Sequence, residues 1–351
     1  MRPRMKRLFL IPVALVLLAC GTTIMVPEVD RAEAEREARR QRVLAWNNEM
    51  EVGQRFYNAA FAILESNARF CEDETTLRLG IQYATLENYE PEWREIARSE
   101  SAITDGVTVI SVAKGSPAGT SGIMVGDEIL RINGEGTGTG SYAVEDFHDL
   151  VKEYGEDGPL TVSIRRDGNP IDLEVVPSTV CDYPFHAVRS DELNAWTDGS
   201  AVFMTTAMLR FVESDDALAL ILGHELAHIT LGHVDKQLAN TLIGALVGAI
   251  VSELTGEDVT EGAANFGSQA YSQEFESEAD YVGAYFSSRA GYDLANAAEV
   301  WWKIAMEKPE AIDLEGSTHP STAIRHLAIK KTAEEIERKR SENLPLVPDG
   351  K

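Results

Sequence analysis

The stretch Ala219-Leu-Ile-Leu-Gly-His224-Glu225-Leu-Ala-His228-Ile229 constrains this chain more than any other. It reads as an apolar helical run carrying two histidines and an acid, groups that are costly to bury without a metal or partners. At about 100° per residue, His224 and His228 stand about 40° apart on the helix, so both imidazoles can reach one metal ion. Glu225 follows the first histidine, where it can hold and deprotonate a water on that metal.

A catalytic zinc site needs a third protein ligand and an open position. A histidine at 234 behind a glycine at 231 would supply one, but Val234 and Leu231 stand there. His233 lies about 140° round the helix from His228 and reads as structural. The better candidates are Glu276 and Asp280, four residues apart on one helical face. One can bind metal while the other hydrogen-bonds the outer nitrogen of a ligating histidine. Glu274 and Glu278 project elsewhere and read as solvated or supporting.

A length of 351 residues allows two or three domains with ample cores. The net charge of −25, with no basic patch, argues against nucleic acid as a partner and for solubility. Residues 1–20 combine a basic start with an apolar run, Leu8 to Ala19, too short to span a bilayer comfortably, which predicts an export signal. The ending Leu17-Leu-Ala-Cys20 resembles the lipobox of bacterial lipoproteins. That resemblance implies a lipidated Cys20 as the new N-terminus, hence a membrane-anchored, periplasm-facing lipoprotein of the cell envelope; an ordinary signal with an incidental cysteine is the alternative. Gly21 after Cys20 favours the outer membrane, by resemblance to enterobacterial sorting. Cys71 and Cys181 remain, and a disulfide is the default in an oxidising compartment. Two separate buried thiols are the alternative.

Residues 21–41 are expected to be a polar tether ending in a solvated helix. Within 42–75, Trp46, Met50, Gly53, Tyr57, Phe61 and Leu64 recur at helical spacing and predict an amphipathic helix over 43–70. Residues 76–178 read as a self-contained β-rich module. They contain a strand at 107–112, a helix at 143–154 and a hairpin of 160–164 with 171–175 across Asp167-Gly168-Asn169. Residues 179–340 carry two short strands around Asp198-Gly199, then helices at 207–213, 263–290, 294–307 and 320–339. The apolar stretch 238–254 is expected to pack closely on the protein, with a membrane- or partner-facing flap as the alternative. Residues 341–351 are expected to be a loose tail.

The sequences Gly115-Ser-Pro-Ala-Gly-x-x-Gly122 and Val125-Gly-Asp-Glu-Ile-Leu-Arg-Ile-Asn-Gly134 resemble a PDZ domain. The resemblance implies a C-terminal peptide ligand added to a sheet edge, its carboxylate held by the loop Leu79-Gly80-Ile81. A plain opening strand at 79–83 is the alternative.

His224-Glu-Leu-Ala-His228, Glu276-Ser-Glu-Ala-Asp280, the Asn194-Ala195 strand, and Ser317-Thr-His319-Pro320 with Arg325 together resemble metallopeptidase family forty-eight, a gluzincin family. It departs from the family's common pattern at Gln273 and Ala207, where arginine and glycine are usual. The resemblance implies an α+β chain: a mainly α-helical zincin protease domain with a small sheet, interrupted by an inserted PDZ domain whose neck Cys71 and Cys181 flank. It implies one Zn2+ per chain, held by His224, His228 and Glu276, with Glu225 as general base and Asp280 behind a ligating histidine. Polypeptide substrates would pair along Asn194 and Ala195. His319 would either stabilise the oxyanion or occupy the open zinc position, with a surface histidine that caps a helix as the third possibility. The implied activity is endoproteolysis of misfolded or misassembled envelope proteins; the competing class is a non-enzymatic PDZ adaptor or chaperone on a metal-stabilised protease fold.

Overall fold

In a computed structural model of the chain, residues 27–255, 258–261, 272–313 and 320–350 are described. The export signal with Cys20, the start of the tether, and Ser317-Thr318-His319 lie outside them. The chain divides into two units, Met1–Arg42 and Val43–Lys351.

Helix α1 runs over Arg31–Ser66. It is longer than expected because no glycine or proline interrupts residues 31–52, so the charged end of the predicted tether continues directly into the amphipathic segment. A 3-10 turn at Ala68–Phe70 leads to Cys71. β1 (Thr75–Arg78) then pairs antiparallel with β8 (Ser178–Cys181), so the strands entering and leaving the inserted module are zipped together. Cys71 and Cys181 are joined by a disulfide at that neck.

Inside the neck lie β2 (Ile81–Ala84), α2 (Pro91–Ser101), β3 (Val107–Val112), α3 (Pro117–Ser121), β4 (Glu128–Ile132), β5 (Glu135–Gly136), α4 (Ala143–Gly155), β6 (Leu160–Arg166) and β7 (Asn169–Val175). The sheet order is β2-β3-β4-β6-β7, leaving β2 at an edge. Ser116 caps α3 by accepting from the Gly119 N–H, with Pro117 at the first helical position. Val107, Val109, Ile129, Ile132, Leu160, Val162 and Ile164 alternate inward to form a core with Phe147 and Val151 of α4. The acidic stretch after β2 also has a structural use. α2 turns Ile96 and Ala97 against Trp46 of α1, whose indole N–H donates to Ser101 Oγ at 2.8 Å.

After the neck come β9 (Phe185–Val188), β10 (Ala195–Thr197) and β11 (Val202–Thr205), a three-stranded sheet in the order β10-β11-β9. β9 runs parallel to β11 and is an unpredicted strand. The helices are α5 (Thr206–Phe211), α6 (Asp215–Thr230), α7 (His233–Thr255), α8 (Ser272–Arg289), α9 (Leu294–Ala297), α10 (Val300–Glu307) and α11 (Thr322–Ser341). One core gathers α6, α8, α9 and α11 with Phe56, Ala59, Ala60, Ile63 and Leu64 of α1. The helix before the inserted module and those after it therefore fold as one body.

Two expectations are corrected. α7 does not pack along its length on the protein: Leu242 is 62% exposed and Leu246 63%. Its apolar residues recur around more than one face, so a single contact with α6 cannot cover them. The last residues are not loose either. Lys339 Nζ donates to Val347 O and Asp349 Oδ1, both at 2.7 Å, Arg289 donates to Leu346 O at 2.5 Å, and Asp349 N–H donates to the Tyr281 hydroxyl at 3.0 Å.

Candidate metal centre

α6 starts where Ser214 accepts a hydrogen bond from Ala217 N–H, with Asp215 and Asp216 in the first turn favourable to the positive end of the helix dipole. Every residue from Ala217 to Ala227 is buried, so the histidines are delivered from inside the core. α8 crosses α6 at Gly223 and Gly283. A Cβ on Gly223 would lie 2.6 Å from the Gly283 carbonyl oxygen, and one on Gly283 would lie 2.6 Å from the His224 nitrogen. Ser287 Oγ spans the same crossing, donating to Ala219 O at 2.8 Å or Gly283 O at 2.9 Å.

That approach brings the predicted ligands together. His224 and His228 place their Nε2 atoms 3.1 Å apart. Glu276 Oε2 is 3.6 Å from His224 Nε2, and Oε1 is 3.5 Å from His228 Nε2. All three donors fall within 4.8 Å of one another. Ligands at zinc distances and tetrahedral angles stand about 3.3 Å apart, so this N,N,O set fits the ion the sequence implies.

Each histidine is backed at its other nitrogen. His224 Nδ1 is 2.9 Å from Asp280 Oδ1, and Asp280 is gripped by Arg325, with Nε at 2.8 Å and Nη2 at 2.6 Å. Arg325 also reaches Glu276 Oε2 at 3.3 Å and stacks 3.8 Å above the Trp301 ring. Burial pushes the Asp280 carboxyl up, but Arg325 and the His224 hydrogen bond outweigh it and hold it below the ordinary range.

His228 Nδ1 lies 2.9 Å from His233 Nδ1, and His233 Nε2 lies 3.2 Å from Glu278 Oε2. Burial first, then the neighbouring His228, push His233 down to about 4, so it is neutral near pH 7. A neutral His233 that donates from Nε2 to Glu278 accepts at Nδ1. It thereby accepts a hydrogen bond from the His228 Nδ1–H and leaves the His228 Nε2 lone pair facing Glu276. His233 was expected off the metal face, and Glu278 solvated or supporting. His233 does stand off the metal point, behind His228; what the sequence did not show is its contact with His228, because a helical wheel takes the helix as continuous. α6 ends at Thr230, and Gly232, at φ +63°, turns the chain before α7 begins at His233.

Glu225 is buried beside both histidines. Burial raises its carboxyl; His224 and His228 pull it back, and the net result stays above the ordinary range. The cleft in front measures about 630 Å³ and is lined by Asn194–Thr197, Phe275, Glu276 and Arg325 among others. Asn194 spends its backbone on Thr205, accepting from its N–H at 3.0 Å and donating to its Oγ1 at 3.3 Å. By the same register the backbone groups of Ala195 and Thr197 point away from β11, toward the open edge of β10.

A buried His-Glu-x-x-His helix crossed by a second helix that brings an acid to the same point defines the gluzincin class of metallopeptidase domain. Residues 174–333 match the model of peptidase family M48, and residues 78–176 match a PDZ domain. Similar proteins include the mitochondrial metalloendopeptidase OMA1 of Schizosaccharomyces pombe, 28% identical over 214 residues, 56% of this chain and 62% of that protein. The OMA1 of Saccharomyces cerevisiae is 30% identical over 135 residues, 36% and 39% of the two chains. The beta-barrel assembly-enhancing protease of Yersinia pestis is 25% identical over 233 residues, 58% and 47%. This chain thus spans less than two thirds of the length of each.

Proposed function

We propose that this chain is a zinc-dependent endopeptidase of the bacterial cell envelope, lipid-anchored at Cys20, that cleaves misfolded or misassembled envelope proteins. The observation that carries the reading is Glu225, a buried carboxylate beside three converging donors in an open cleft. A purely structural zinc site needs no such base. The envelope assignment is supported by the signal-like N-terminus, by the Cys71–Cys181 disulfide, and by likeness to proteins named for β-barrel assembly.

His224, His228 and Glu276 hold the ion, and the chemistry supplied there by zinc is Lewis acidity toward a carbonyl and a water. Glu225 accepts the proton of the attacking water and returns it to the leaving amine. Asp280 with Arg325, and His233 with Glu278, fix the two imidazoles so that their Nε2 atoms stay aimed inward. Ala195 and Thr197 offer their backbone groups to an extended substrate strand.

In the inserted module, Leu79, Gly80 and Ile81 form the loop that takes a chain-terminal carboxylate. Gly80 sits at φ +77°. The carbonyls of Leu79 and Gly80 are committed to Ala118 and Ala113, while the N–H groups of Leu79 and Gly80 have no hydrogen-bond partner among the described residues. Two adjacent donors left over in buried backbone suit an anionic acceptor.

The test is cleavage of casein by the wild type and Glu225→Gln, with bound zinc measured in both. The expected result is normal zinc and a loss of turnover of about 10²-fold or more. A zinc-replete Glu225→Gln variant that still digests casein would return the chain to the adaptor or chaperone class.

A further inference from the structure

We infer that the peptide edge of the PDZ module is held shut by the module's own neighbour, helix α1, so that a chain-terminal peptide and α1 compete for the same backbone groups. The inference rests on the reading of Leu79–Ile81 as a carboxylate loop.

The ladder register shows which groups are at stake. Ile81 faces Val112, and Ala113 N–H donates to Gly80 O at 2.8 Å, which makes Ile81 and Val112 a non-hydrogen-bonded pair. The Ile81 N–H and C=O therefore point away from β3, to the outer edge of β2. A peptide added to that edge would donate its last N–H to the Ile81 carbonyl, beside the loop that takes its carboxylate. In the folded chain the carbonyl is already used: the Tyr57 hydroxyl of α1 donates to it at 2.8 Å.

The loop is covered as well. A Cβ on Gly80 would lie 2.9 Å from Phe61 Cζ, so the tip of that ring lies against the Gly80 backbone. Leu79 is 2% exposed and Ile81 6%. Phe61 of α1 and Ser116 of the module itself thus both pack on the loop that would take the carboxylate.

α1 is fastened in this position on two sides. Gln54 clamps the far edge of β3, its Nε2 donating to Val112 O at 2.9 Å and its Oε1 accepting from Val112 N–H at 3.2 Å. Asn58 Oδ1 accepts from Lys114 N–H at 3.0 Å. These are the bonds a neighbouring strand would make, provided here by side chains four residues apart on a helix. On the peptidase side, Arg55 of the same helix donates to Val212 O and to Asp215 Oδ1, both at 2.5 Å, and so holds the start of the helix that carries His224 and His228. An occupant of the PDZ edge thus displaces side chains of a helix that belongs to the peptidase core.

The experiment uses the full chain and a fluorescent decapeptide ending in valine with a free carboxylate, with its C-terminally amidated twin as control. Tyr57→Phe removes one hydrogen bond without disturbing packing, and Gln54→Ala with Asn58→Ala loosens the clamp without touching the groove. Each is expected to tighten binding of the free-carboxylate peptide by about fivefold or more, the equivalent of one hydrogen bond. Peptide addition is expected to speed amide exchange at residues 54–61. Equal affinity in wild type and both variants, with unchanged exchange in α1, overturns the competition and leaves the carboxylate loop standing. No binding of the free-carboxylate peptide to any of the three proteins overturns both.

Discussion

His233 Nδ1 lies 2.9 Å from His228 Nδ1, on the side of the ring opposite the donor cluster. The contact fixes which nitrogen of His228 carries its proton, and it depends on Glu278 to fix the tautomer of His233 in turn. His233→Ala is therefore expected to lower zinc affinity by about 10- to 100-fold, and Glu278→Ala by less, since the partly exposed Glu278 can be replaced by water. Glu276→Ala, which removes a donor outright, should lose the most. Zinc titration against a chelating dye orders the three. If His233→Ala binds zinc like the wild type, the proposed orientation of His228 is wrong.

The crossing of Gly223 on Gly283 sets the distance between the histidines and Glu276. Gly283→Ala places a methyl 2.6 Å from backbone of α6, where no flexible side chain can yield. The helices must separate, at a cost of about 1–3 kcal/mol or more. The expected outcome is a lower urea midpoint together with lost zinc binding. Ala284→Gly, one residue on, should leave zinc binding unchanged. Normal zinc affinity in Gly283→Ala would show that the crossing does not position the site.

Helix α7 exposes its leucines, so the pair Leu242→Gln and Leu246→Gln should change stability by only about 0.5 kcal/mol in either direction. The same substitutions in a packed helix would cost several times that. A large drop in the thermal midpoint would mean that these side chains are covered in solution.

The C-terminal segment carries a pH dependence. The Lys339 hydrogen bond holds the Asp349 carboxyl below its usual range. A depressed carboxylate contributes stability that is present above its unfolded pKa, about 3.9, and is lost as pH falls through the folded value. The pinned segment is therefore expected to stay closed at neutral pH and to open in acid below about pH 4. Amide exchange at Asp349, whose N–H donates to Tyr281, reports it directly. Protection that is the same at pH 7 and pH 3 rules out the latch, and Lys339→Met should abolish the protection at both.

The sequence by itself determined the parts whose signal is local. The His224-Glu225-His228 spacing, the placing of Glu276 and Asp280 on one helical face, the strands and helix of the PDZ module, and the pairing of Cys71 with Cys181 are legible in periodicity, turn residues and composition, while the family resemblance singled out Glu276 as the metal donor. Tertiary structure decided the rest, because it depends on residues far apart in the chain or on a break in a helix. Gly232 turns His233 back onto His228, which a helical wheel drawn through that glycine cannot show. Gly223 and Gly283 meet only when two helices cross, and Arg325 reaches Asp280 only once α11 is packed. Tyr57 and Phe61 look from their spacing like ordinary core positions of an amphipathic helix. Their contact with Ile81 and Gly80 exists because α1, which precedes the inserted module in sequence, folds with the helices that follow it and lies against the edge of the sheet in between.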